Sequence, residues 1–132
     1  MANEESRDDL SLEQIEDDTW GEPPADATKL VKTVHQLRRK PIGALSDADL
    51  RVLLAQKVGI DVLVPRVLAL LERDPLLEGD FYPGDVLVAV LKVPVDYWSA
   101  NQEQRARVER VIASIDHPDS QLQADIDKFR NQ

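Results

Sequence analysis

The sequence predicts an all-α protein, a compact single-domain bundle of about seven helices. Three observations lead there. Apolar residues recur at helical spacing in several separate segments. Most of those segments open on Ser or Asp and close on Gly or Pro. The most apolar run, Val86 to Val93, holds only Lys92 as a polar residue and follows the turn signal Pro83-Gly84. A helix apolar all round is a buried helix, so this run is expected to be the central core element. Its flanks, Phe81-Tyr82 and Tyr97-Trp98, hold four of the chain's six aromatic residues.

Taken in order, residues 1–9 have almost no apolar content and are expected to form a disordered acidic tail, with the helical domain spanning 10–132. Ser11 with Gln14 makes a capping box for a short helix whose apolar side is Leu12 and Ile15. Trp20, just before Gly21 and Pro23-Pro24, is expected to pin this acidic arm to the body, because a large ring left in water forfeits burial energy. Leu30, Val31, Val34 and Leu37 share one face of a basic helix that ends in Arg38-Arg39-Lys40. Three cations there suit the negative end of the helix dipole, a structural role preferred over an anion site. Ser46 and Asp49 start a helix buried through Leu50, Leu53 and Leu54, with Gly59 as its stop. Asp61 is expected to cap the next helix, placing Pro65 in its first turn. The valines of this helix and of Val86–Val93 also suit strands. Helix is preferred because both runs follow a capping signal and neither alternates with polar residues. Asp85 is expected to cap the central helix, Pro94 to begin the following one, and Tyr97 and Trp98 to lie in the core. Val108, Val111, Ile112 and Ile115 make the cleanest amphipathic helix, broken at His117-Pro118. Ser120 is expected to cap a last helix carrying Leu122, Ile126 and Phe129.

Composition narrows the function. The net charge of −9 lies entirely in residues 1–26, which hold ten acids and one base; the remainder balances fifteen acids against fifteen bases. Such a segment repels nucleic acid and anionic lipid and attracts basic proteins. There is no cysteine, hence no disulfide or thiol chemistry. No run reaches the roughly 18 apolar residues of a membrane span, and the acidic start lacks a signal peptide's pattern. A cytoplasmic location is expected. His35 and His117 have no convergent partner ligands, no phosphate-binding loop is present, and the serines read as caps. Glu78, Asp80 and Asp85 are the one acidic cluster that could serve a metal-dependent hydrolase, but turn and cap roles explain them individually. The expectation is a protein that is not an enzyme and needs no cofactor or metal, with a helical adaptor as the alternative to the reading that follows.

Three strings carry a family resemblance. They are Leu12-Glu13-Gln14-Ile15-Glu16 running on to Trp20-Gly21-Glu22-Pro23-Pro24; His35-Gln36-Leu37-Arg38-Arg39-Lys40-Pro41; and Asp74-Pro75-Leu76 leading into Glu78-Gly79-Asp80-Phe81-Tyr82-Pro83-Gly84-Asp85. In these, from about Leu10 to Ile112, the chain resembles the all-helical immunity proteins of bacterial contact-dependent growth inhibition (CDI) systems. The resemblance implies a protein that binds and blocks a toxin domain, the C-terminal region of a large surface-delivered protein. Such toxins are often nucleases with basic clefts, which an acidic partner suits. On that reading Glu13, Glu16, Asp17 and Asp18 of the arm, with Glu78, Asp80 and Tyr82 of the loop, form the toxin-facing surface.

Overall fold

The axis of the molecule is a seven-residue helix with no exposed side. In the computed structural model, which describes residues 8–132, Asp85–Leu91 is helical and each of its residues is buried. Around it, among the described residues, stand seven further α-helices and no strand. In chain order the eight are α1 (Leu12–Glu16), α2 (Lys29–Arg39), α3 (Asp47–Ala55), α4 (Ile60–Arg73), the central α5 (Asp85–Leu91), α6 (Val95–Ala100), α7 (Gln102–Ala113) and α8 (Ser120–Arg130). A single 3₁₀ turn, Ile42–Ala44, links α2 to α3. Helix α5 packs on α3 and α8; α4 packs on α3 and α7. Both valine-rich runs are therefore helical, as expected. Burial on all sides stabilises them where intrinsic β preference would not.

Trp98 is 1% exposed and closes the end of α5. Its ring meets Tyr97 and Phe129 edge-on, and its Nε1 donates to the Val93 carbonyl at 3.1 Å. The indole is thus buried with its one polar atom satisfied, as a core Trp requires. Tyr97 is only partly buried and packs against the core from outside.

The capping boxes at Ser11 and Ser46 form as expected. Other junctions differ. Helix α4 is headed by Gly59 (φ +69°), not by Asp61, and Gly59 does not terminate α3, which ends at Ala55. Pro65 consequently falls in the second turn, where its ring leaves the Asp61 carbonyl without a helical partner; Asp61 is exposed, so water can satisfy it. Helix α5 is headed by Gly84, α6 by Pro94 itself, and α8 by Asp119 rather than Ser120. Of the four apolar residues expected on one face of α2, Val34 and Leu37 turn inward, while Leu30 and Val31 remain 43% and 40% exposed.

The expected disordered tail, 1–9, falls mostly on residues 1–7, which lie outside the described residues. From Asp8 the arm is seated on the body. Gly43 N–H donates to the Asp8 carbonyl and Ile42 N–H to that of Leu10, at 3.0 and 2.9 Å. Asp8 also pairs with Arg66 at 2.8 Å. Leu12 is fully buried, and a Cβ at Gly59 would lie 2.8 Å from its side chain. A Cβ at Gly43 would lie equally close to Asp8. The two glycines are where the arm lies against the domain.

Candidate functional site

Three of the arm's acids, Glu13, Glu16 and Glu22, are directed at the protein's own helix α2. Arg38, 1% exposed, donates from Nη1 to Glu16 and from Nη2 to the Asp18 carbonyl, both at 2.5 Å, and its guanidinium lies 4.2 Å from the Trp20 ring centroid. Its Nε has no hydrogen-bond partner. Arg39 reaches Glu13 at 3.6 Å, Glu22 at 3.1 Å and the Gly21 carbonyl at 2.6 Å. His35 meets Trp20 edge-on. Basic α2 thus clasps the acidic arm. The helix-end cations have a structural role, as expected, but act through this clasp more than through the helix dipole. Trp20 remains 42% exposed. It anchors the arm by covering a buried charge, not by entering the core.

Of the four arm residues expected to face a partner, Glu13 and Glu16 are engaged in this clasp. Asp17 and Asp18 are exposed and form no ion pair among the described residues. Asp17 closes α1 in the left-handed region (φ 52°), and Asp18 accepts a 3.3 Å hydrogen bond from Trp20 Nε1.

The loop between α4 and α5 is built from the inside. Asp85 is 3% exposed, and instead of capping its own helix its carboxylate reaches back into the loop. It accepts from the backbone N–H groups of Gly79 (2.5 Å), Asp80 (3.1 Å) and Phe81 (2.9 Å). Burial alone would raise its pKa; the amides of Gly79, Phe81, Asp80 and Tyr82 outweigh that and hold the carboxyl below its ordinary value. Asp80 accepts from Arg51 at 2.6 Å, and Glu78 is paired through its backbone with Pro83. These bonds account for Asp80 and Asp85 structurally. Among the described residues no three or more His, Cys, Asp or Glu side chains converge as a metal site would need.

This scaffold pushes two aromatic side chains into solvent. Phe81 is 67% exposed and Tyr82 45%. The Arg51 guanidinium lies 4.4 Å from the Phe81 ring centroid. Between the loop and the ends of α3 and α5 runs a groove of about 400 Å³, floored by Leu54, Ala55, Val88 and Ala89 and edged by Lys57 and Lys92. Tyr82 also edges a second hollow of about 300 Å³ against Leu122 of α8. The loop's Tyr82, Asp80 and Glu78 were identifiable as site candidates from the sequence. Phe81, Lys57 and Lys92 were not. Two aromatics side by side in an otherwise polar turn were the available signal for Phe81.

The molecule so defined is an all-α protein with an arm and a loop displayed on a packed body, and among the described residues no helix is long and apolar enough to cross a membrane. Its sequence matches the family model of CDI immunity proteins over residues 14–108, and the chain belongs to that family. The match runs from within α1 through most of α7, takes in the loop and the clasp apart from Glu13, and leaves α8 outside. No curated protein and no solved structure matches the chain.

Proposed function

We propose that this immunity protein works in the cytoplasm, where it binds the toxin domain at the C-terminus of its cognate surface-delivered CDI protein and occludes that domain's active cleft. The toxin is a nuclease, whose phosphate-binding cleft is basic. The observation that carries this reading, beyond family membership, is the acidic face left outside the clasp. Asp17, Asp18 and Asp26 are exposed and form no ion pair among the described residues, and the Glu22 side chain, though held by Arg39, is 83% exposed. Charges so placed draw a basic partner toward the arm and act chiefly on the association rate. Glu13 and Glu16 hold the arm in position for this, while Glu78, Asp80 and Tyr82 extend the contact at the loop. The protein contributes no catalysis and takes no cofactor; nucleic acid and membrane are not its partners.

The test is co-expression with the toxin domain encoded immediately upstream. Cells making both should survive and yield a co-purifying complex, while cells making the toxin alone should die. A toxin that remains lethal and does not co-purify overturns the proposal.

A further inference from the structure

The groove beside the α4–α5 loop differs in charge from the rest of the molecule. The chain carries −9, yet Lys57 and Lys92 both edge this groove, and neither forms an ion pair among the described residues. Each follows a helix end: Lys92 is the C-cap of α5, and Lys57 lies two residues beyond Ala55, the last residue of α3, with φ +60°. The third cation, Arg51, is already committed to Asp80 and stands over Phe81. Floor, wall and rim therefore differ in chemistry. The floor is small and apolar, the wall is the exposed Phe81 and Tyr82, and the rim is two free ammonium groups.

The Phe81 ring is also held without being buried. Asp85 fixes the backbone N–H of Phe81 from inside, and Arg51 lies on one ring face. The ring is thus presented in a set position at little further entropic cost, the property that makes aromatic residues effective anchors at protein interfaces. Aromatic side chains are enriched at protein interfaces relative to the rest of the surface.

We infer that this groove is the anchoring subsite for the toxin domain, and that it receives a toxin segment presenting an apolar or aromatic side chain flanked by carboxylates. The side chain fills the hollow between Phe81 and Val88, and its flanking carboxylates meet Lys57 and Lys92. The inference rests on the toxin-binding reading above and adds to it a contact of opposite sign. The arm attracts basic surface, while the groove takes an acidic segment, and a partner must satisfy both. Two contacts of opposite sign reject partners that match only one, a source of discrimination among toxins.

The experiment measures affinity for the upstream-encoded toxin domain by titration of the full chain. Phe81→Ala should weaken binding by about thirtyfold or more, as truncation of an interface anchor does. The Lys57→Glu, Lys92→Glu pair should weaken it at least about tenfold. Lys128→Glu, an exposed charge change on α8, should leave it unaltered. Thermal melting of all variants should match the parent, since the altered side chains are exposed; if Phe81→Ala alone melts early, the lysine pair decides. Failure of the parent chain to bind removes the toxin-binding reading itself. A parent that binds, with the lysine pair and Phe81→Ala binding equally well, overturns the inference while leaving that reading intact. So does a groove variant that abolishes self-association of the chain and spares toxin affinity, because the occupant is then a second copy.

Discussion

Two acidic segments lie on this helical body, and they are held in opposite ways. The arm, from Asp8 to the start of α2, is fastened from outside by arginines of α2 and α4, with one leucine, Leu12, fully buried beneath it. The loop before α5 is fastened from inside by the single buried carboxylate of Asp85. Exposed ion pairs contribute about 0–1 kcal/mol each, so the arm depends on Leu12 and the Arg38 clasp. The loop depends on amide bonds in a buried setting, where leaving each donor unmet costs about 1–3 kcal/mol. Acid content says little about availability. In one segment Asp8, Glu13, Glu16 and Glu22 bind the protein's own arginines; in the other the buried acid makes the scaffold and two aromatic side chains are left exposed.

The two tryptophans give the largest test of this difference. Trp98→Ala should cost about 3–5 kcal/mol in urea unfolding, as removal of a buried aromatic does. Trp20→Ala should cost about 1 kcal/mol, since it removes a half-exposed ring over a guanidinium. Equal losses would make the arm part of the core and erase the distinction.

Next in size is Asp85→Asn, expected to cost about 2–3 kcal/mol because part of its amide acceptance is lost. The wild-type group also sets a pH dependence. Its folded pKa is depressed, so its contribution is complete above the unfolded carboxylate value of about 3.9 and disappears as pH falls through the lower folded value. Amide NMR signals of Gly79, Asp80 and Phe81 should hold constant from neutral pH down to about pH 4 and move together below it. Movement in the range of an ordinary exposed carboxylate would contradict the buried anchor.

Gly59→Ala comes third. It places a Cβ against Leu12 and forces a left-handed φ on a side-chain residue; the expected loss is about 1–2 kcal/mol. Limited proteolysis should then cut the arm first. Cleavage elsewhere, with the arm intact, would show that Leu12 does not hold it.

Much of this fold could be read from the chain. The capping boxes at Ser11 and Ser46, the all-apolar α5 and the buried Trp98 follow from local pattern. The heads of α4, α5 and α8 do not. At each, two residues one or two positions apart could serve, and the helices start from Gly59, Gly84 and Asp119, not from Asp61, Asp85 and Ser120. Asp85 was legible as important but was assigned the wrong direction, because its amide partners precede it. The clasp was half legible. An acidic arm and a basic helix were both evident, but their pairing is a tertiary fact. The groove was least legible, since Lys57, Phe81 and Lys92 come from three separated places in the chain.

The smallest effect on stability and the clearest on kinetics belongs to the arm's exposed acids. Neutralising Asp17, Asp18 and Asp26 together (Asp17→Asn, Asp18→Asn, Asp26→Asn) should leave melting unchanged and slow association with the toxin at low salt by several-fold, an effect that fades as salt is added. Unaltered association at low salt would remove the arm from steering.

Hydrogen exchange across the whole chain, compared with and without the upstream toxin domain, tests the central claim most directly, because it reports arm and loop in one sample. The account predicts that binding slows exchange in residues 78–83 and 55–58, with a smaller change in residues 17–22. Slowing confined to α8, with the loop and the groove unaffected, would contradict it.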